Sequence, residues 1–270
     1  MSEPAVSRRR LLAGAGTVAL AELLAGCSTG RAERMGGRAV AGEGFHVGRL
    51  AFRPNAAPRK SGRHAVPSGY LELRGDRAAA PASGYVPDAD GPLQAVIVLH
   101  GAGGQAPRTL RLLQRFADDQ RLLLVAPQSR QPTWDVIAGG YGPDVRNIDH
   151  LMTKVADDYP ITGWSVSGFS DGASYALSLG ITNGDVFESV AAFSPGFQAA
   201  QVEHGHPQFF VSHGVDDRVL PIERCSRRLV PELRARGYQV QYTEFDGGHE
   251  VPPEMAEEAA RWFAARDGSA

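Results

Sequence analysis

Gly168-Phe169-Ser170-Asp171-Gly172 sets one serine between two glycines, with an apolar run before it and a stretch of small residues after it. A serine hydroxyl is a weak nucleophile at its own pKa and needs a base beside it. A tight turn from strand to helix would lift the hydroxyl above a sheet, and the flanking glycines would let strand and helix approach without Cβ clashes. The base offered downstream is His249, in Gly247-Gly248-His249-Glu250. The acid that would hold its imidazole in one tautomer is offered by His213-Gly214-Val215-Asp216-Asp217-Arg218-Val219-Leu220-Pro221, where Asp216 and Asp217 compete. Serine, acid and histidine come in that order, each after an apolar strand-like run, and the chemistry they would support is acyl transfer through a covalent serine.

A tetrahedral intermediate needs donors for its oxyanion. Leu99-His100-Gly101-Ala102-Gly103-Gly104 is a side-chain-poor loop after a core strand, and the Ala102 amide, with that of Asp171 after the serine, would supply them. Phosphate cradling is the rival use of such a loop, but the Lys-Ser/Thr of a P-loop and the full G-x-G-x-x-G spacing are missing. His100 and His213 each precede a glycine at a strand end and read as residues that pin loops. Trp134 and Tyr141 lie in the Gly-rich segment 131–143 and are candidates to line a substrate pocket, with core packing as the equal alternative for Trp134. Glu203-His204-Gly205-His206 has two histidines but no convincing third ligand, so no metal is assigned, and no cofactor is expected.

These groups must be positioned by a sheet. Leu93–Leu99 and Leu122–Ala126 are continuous apolar runs of the kind buried on both faces. Further strands are expected at 161–166, 189–193, 208–212 and 238–245, and a leading pair at 47–52 and 69–74. Helices are expected at 109–120, 145–158, 172–179, 223–236 and 253–265. Alternating strands and helices mean a doubly wound, mostly parallel sheet with helices on both faces. The short stretch between Gly196 and Gln208 leaves no room for a large lid. Cys225 falls in a predicted helix, where a half-buried structural thiol is the plain reading.

The 270 residues are 43% hydrophobic and 21% charged, enough for one large core. A net charge of -2 gives no basic surplus to hold nucleic acid. Ser7-Arg8-Arg9-Arg10 precedes an apolar stretch, Leu11–Leu24, that is too short to span a bilayer comfortably and carries Glu22, the pattern of a twin-arginine export signal. Leu24-Ala25-Gly26-Cys27 is similar to a bacterial lipobox, in which Cys27 becomes the lipidated first residue. The organisation expected is a signal peptide over 1–26, lipidated Cys27 and a flexible tether over 27–47, and one catalytic domain over 48–270. The mature chain would be anchored by lipid to the outer face of the cell membrane.

Taken together, VIVLHGAGG (96–104), GFSDG (168–172), FSPG (193–196), HGVDDRVLP (213–221) and GGH (247–249) resemble the phospholipase/carboxylesterase branch of the α/β hydrolases. The loop VLHGAGG is also similar to that of the polyhydroxybutyrate depolymerase and feruloyl esterase-like group. The resemblance covers about 84–265 and implies a single-domain α/β-hydrolase fold. It places the acid on Asp217 and the oxyanion donors on Ala102 and Asp171. It implies a serine hydrolase acting on esters; the missing room for a large lid favours short or medium acyl esters, polyester or feruloyl-type substrates are the alternative, and a non-catalytic cell-envelope binding protein that keeps the fold is the rival reading. Esterases, thioesterases and depolymerases share this fold, so the fold leaves the ester itself open.

Overall fold

The computed structural model describes residues 44–54, 67–75 and 79–265. The expected leader, Cys27 and the tether up to residue 43 lie outside the described residues. In chain order the elements are β1 (Gly69–Leu73), β2 (Ala82–Val86), β3 (Leu93–Leu99), α1 (Ala106–Leu110), α2 (Ala117–Gln120), β4 (Leu122–Ala126), α3 (Asp135–Ala138) and α4 (Pro143–Asp158). There follow β5 (Ile161–Phe169), α5 (Asp171–Thr182), β6 (Ser189–Phe193), β7 (Gln208–Gly214), α6 (Ser226–Ala235), β8 (Val240–Phe245) and α7 (Pro253–Ala264).

One eight-stranded sheet results, in the order β1-β2-β4-β3-β5-β6-β7-β8. β1 and β2 pair antiparallel, β2 meets β4 antiparallel, and every remaining pair is parallel. Every residue of β3 is buried, and its side chains alternate between two cores. Ala95, Ile97 and Leu99 join the core that packs Val145, Ile148 and Leu151 of α4, Ala173 and Leu177 of α5 and Leu229 of α6. Val96 and Val98 join the opposite core, with Leu110 of α1, Ala117 of α2 and Met255, Ala259 and Phe263 of α7. The unbroken apolar run that marks β3 in the sequence is therefore the signature of a strand covered on both faces.

The chain leaves β3 to form β4 on one side and returns to form β5 on the other, so the sheet reverses direction between β3 and β5. In open parallel sheets a crevice opens at such a reversal, outside the carboxyl ends of the strands. Register brings those ends level: Leu99 pairs with Gly168, Phe169 with Phe193, and Phe193 with Ser212. The loops after β3 and β5 thus flank the crevice.

Three expectations change. The helix expected over 223–236 is interrupted: Cys225 stands between a 3-10 turn, Ile222–Arg224, and α6, inside neither, at φ -113° and ψ -105°, which are not helical. Residues 47–52 do not form a strand; a short 3-10 turn, Phe45–Val47, is followed by a segment without regular secondary structure. Side chains take the backbone donors there in place of a neighbouring strand: Asn183 Oδ1 accepts from Leu50 N at 2.8 Å and Asp149 Oδ1 from Phe52 N at 2.6 Å. The partner of β1 is β2. The helix expected over 109–120 is broken into α1, a 3-10 turn at Gln114–Phe116 and α2. Bonds of the i to i+3 kind, Leu112 N to Thr109 O and Leu113 N to Leu110 O, tighten the chain there. Leu110 and Leu113 then fall on one side, both fully buried.

Candidate active site

Ser170 sits between β5 and α5 with φ 57° and ψ -120°, a left-handed conformation that side chains rarely adopt. Neighbours on both sides enforce it. The Ser170 amide donates to Phe193 O at 2.9 Å, and Ser170 O accepts from the amides of Ala173 and Ser174 at 2.9 and 3.0 Å. A Cβ on Gly168 would stand 2.3 Å from Gly172 C, and one on Gly172 would stand 2.3 Å from Leu99 O. Both positions therefore admit only glycine, and strand, elbow and helix close onto β3.

His249 lies on the loop between β8 and α7, half-buried, with Phe169 packed against its ring at 4.7 Å between centroids. Its Nε2 is 2.8 Å from Ser170 Oγ and its Nδ1 is 2.6 Å from Asp217 Oδ2. A carboxylate only accepts, so Nδ1 carries the proton and Nε2 is free to accept the serine hydrogen. Asp217 is 5% exposed and is the aspartate that meets His249, whereas Asp216 faces solvent. The acid and histidine loops are stitched together by Val215 N to Phe245 O at 3.0 Å and Asp216 N to Gly247 O at 2.9 Å.

Four donors surround the Asp217 carboxylate. The amides of Val219 and Leu220 reach Oδ1 at 2.8 Å each, and His249 Nδ1 and His213 Nε2 reach Oδ2 at 2.6 and 3.2 Å. Burial alone would push this carboxyl up, but the Leu220 amide, His249 and the Val219 amide outweigh it and hold the group below its ordinary range. Burial lowers the His213 pKa, so this imidazole is neutral near pH 7. The Ser226 hydroxyl donates to its Nδ1 at 2.7 Å, while Nε2–H faces Leu220 O at 2.8 Å. The sequence marked His213 only as a loop pin. Its contact with the acid was hidden because the i, i+4 spacing acquires meaning only once the turn between them folds back.

The loop after β3 crosses directly beside the serine: a Cβ on Gly101 would lie 3.2 Å from Ser170 Cβ. Among the described residues, the amides of Ala102 and Asp171 donate to no protein group. His100 accepts the Ser129 amide at Nε2, 3.1 Å away, and donates from Nδ1 to Gly101 O at 2.8 Å, so it does pin this loop. Trp134 is fully buried: its ring lies between His100 at 4.7 Å and Tyr175 at 5.1 Å, and its Nε1 donates to His100 O at 2.8 Å. It packs behind the loop, which leaves it no surface to offer a substrate pocket. Tyr141 is also buried, its hydroxyl donating to Ala199 O at 3.1 Å. Among the described residues no group of three His, Cys, Asp or Glu is gathered in a way that could hold a metal, and no helix is long and apolar enough to cross a membrane.

Strand order, the reversal at β3 and β5, and the strained elbow together define an α/β-hydrolase fold. Solved structures agree with that definition. The chain is similar to esterase PE8, at 20% identity and a TM-score of 0.56, over 72% of this chain and 99% of that one. It is similar to a thermostable esterase, at 23% identity and a TM-score of 0.61, over 72% of this chain and 62% of the other. It is also similar to the S-formylglutathione hydrolase FrmB from Staphylococcus aureus, at 13% identity and a TM-score of 0.59, over 74% of this chain and all of that one. No family model matches the sequence.

Proposed function

We propose that the protein is a serine hydrolase that cleaves carboxylic esters through an acyl-enzyme on Ser170. The observation that carries this reading is the unbroken hydrogen-bond chain from Ser170 Oγ through His249 to Asp217. In the first half-reaction Ser170 Oγ attacks the ester carbonyl while His249 Nε2 takes its proton. The imidazolium so formed is stabilised by Asp217, which the surrounding amides keep ionised. The oxyanion is received by the free amides of Ala102 and Asp171, and His249 returns the proton to the departing alcohol. Water, activated by His249, then releases the acid and restores the serine.

Short or medium acyl esters suit the open connection from β6 to β7, which among the described residues contains neither helix nor strand. A polymeric or feruloyl-type ester is the second reading, favoured by Val219, which is 58% exposed on the turn that caps Asp217 and presents an apolar contact beside the site. The esterase names of the similar structures support an ester substrate. Export through a twin-arginine signal and anchoring through Cys27 are part of the same proposal, and rest on the leader sequence. Replacing Cys27 with Ser should move the protein from the membrane to the soluble fraction; unchanged partitioning would refute the anchor.

The mechanism is tested by a fluorophosphonate probe with peptide mapping, beside a p-nitrophenyl ester series of rising chain length. Labelling on Ser170 and hydrolysis that vanishes in Ser170→Ala are expected. An alanine variant as active as the parent would end the proposal.

A further inference from the structure

An oxyanion hole works only if its donors stand in place before the charge develops. Here one donor lies in the glycine-rich loop Gly101–Gly104, whose backbone has unusual conformational freedom, and neither donating amide is held by a protein acceptor. Something else must fix them. Three consecutive residues of the loop between β4 and α3 each reach one part of the hole. Pro132 O accepts from Gly103 N at 2.6 Å, Thr133 Oγ1 donates to Asp171 Oδ2 at 2.6 Å, and Trp134 Nε1 donates to His100 O at 2.8 Å. The first and third bonds bracket Ala102 from both sides, and the second grips the residue that owns the other donor.

The loop that supplies these contacts is itself locked. Asp144 accepts the amides of Arg130 and Asp135 at 3.0 and 2.9 Å, and Asp135 accepts those of Gly142 and Asp144 at 2.8 and 2.9 Å. The buried Tyr175 hydroxyl, from the helix that follows Ser170, closes the lock with a 2.8 Å bond to Asp135 Oδ1. Two reciprocal carboxylates therefore make residues 130–144 a rigid jig whose reference point is the nucleophile's own helix.

We infer that Thr133 and Trp134 are positioning residues of the oxyanion hole, setting the Asp171 and Ala102 amides respectively at the distance the tetrahedral intermediate requires. The inference rests on the proposed serine hydrolase mechanism and adds to it a residue pair that touches no reacting atom. Thr133→Val keeps shape and volume but leaves Asp171 Oδ2 without its donor, and Trp134→Phe keeps the stack on Tyr175 but removes the donor to His100 O.

The test compares the parent, Thr133→Val, Thr133→Ser and Trp134→Phe by p-nitrophenyl butyrate kinetics. It adds inhibition by a trifluoromethyl ketone, whose hemiketal on Ser170 places an oxyanion in the hole. Thr133→Val and Trp134→Phe should each lower kcat by between about 10- and 100-fold with KM within about twofold. The ketone's inhibition constant should rise by the same factor, and Thr133→Ser should restore both. Thermal melting of each variant separates this from unfolding: a folded variant with parental kcat and parental ketone affinity overturns the assignment. So does a loss of kcat without matching loss of ketone affinity. A parent that neither turns over ester nor binds the ketone overturns the hydrolase mechanism, and this assignment with it.

Discussion

His213 Nε2 lies 3.2 Å from Asp217 Oδ2, and both side chains are sealed from solvent. The acid of the proposed triad is thus flanked by two imidazoles: one exposed enough to meet substrate, the other entirely internal. His213 cannot exchange protons with substrate, so its contribution is to fix the carboxylate and the Leu220 carbonyl of the same turn. Replacing His213 with Phe should reduce kcat for p-nitrophenyl butyrate by about 10-fold with little change in KM, because orientation is lost while the binding surface is kept. Steady-state kinetics beside the rate of fluorophosphonate labelling of Ser170 checks this, and the two rates should fall together.

Stability should depend on pH in a way these buried groups dictate. His100 and His213 have their pKa values lowered by burial from the ordinary 6.5. Their unfolded forms bind a proton first as pH falls, so the stability they contribute is complete above about 6.5 and is lost as pH drops below it. Asp144 runs the other way: burial, and then the charge of Asp135, raise it to about 6 against the uptake-limiting amides of Arg130 and Asp135. Its folded form holds the proton longer, so its contribution is greatest below the ordinary carboxylate value and declines as pH rises through about 6. Between pH 7 and pH 5 the parent's Tm should therefore fall more than that of His213→Phe, as read by differential scanning calorimetry. An identical decline in the two would show that His213 is not among the acid-sensitive groups.

The elbow glycines should tolerate nothing larger. Gly172→Ala would press a methyl group against Leu99 O and His100 O at 2.3 and 2.5 Å, both backbone atoms of a buried strand end. A cost at or beyond the upper end of the about 1–3 kcal/mol usual for overpacking is expected, with loss of soluble protein. Gly248→Ala, where the added atom would meet nothing within 4 Å, should unfold in urea at the parent's midpoint.

Cys225 is 6% exposed, and burial, with the nearby Asp217 charge adding to it, pushes its thiol up to about 11. It should stay unreactive toward a disulfide reagent at pH 8 in the folded protein and react at once after denaturation in guanidinium. Rapid reaction in the folded state would mean that the turn carrying Asp217 opens.

Much of this was legible beforehand because the informative residues are locally constrained. Glycines at 168 and 172 around a serine announce an elbow, and the apolar run 93–99 announces a strand covered on both faces. The segment 47–52 is not a strand because the groups that satisfy its amides, Asn183 and Asp149, are side chains far away in sequence, which no local pattern reveals. The role of residues 132–134 was equally hidden. A proline, a threonine and a tryptophan have no motif value until the reversal of the sheet sets their loop against the glycines after β3. Loop position alone leaves Trp134 open between pocket wall and core packing, and the indole donor to His100 O, with full burial, shows why it takes the core place.

The positive φ of Ser170 has a further consequence, for the way this molecule divides between durability and use. A non-glycine residue held in such a conformation costs on the order of 1–3 kcal/mol, which the surrounding fold must absorb. Alanine at this position would remove the proposed nucleophile and keep the strain, whereas glycine would remove both. Ser170→Gly is therefore expected to melt at a higher temperature than both Ser170→Ala and the parent. The most direct route by which this chain could become sturdier passes through the loss of its proposed nucleophile.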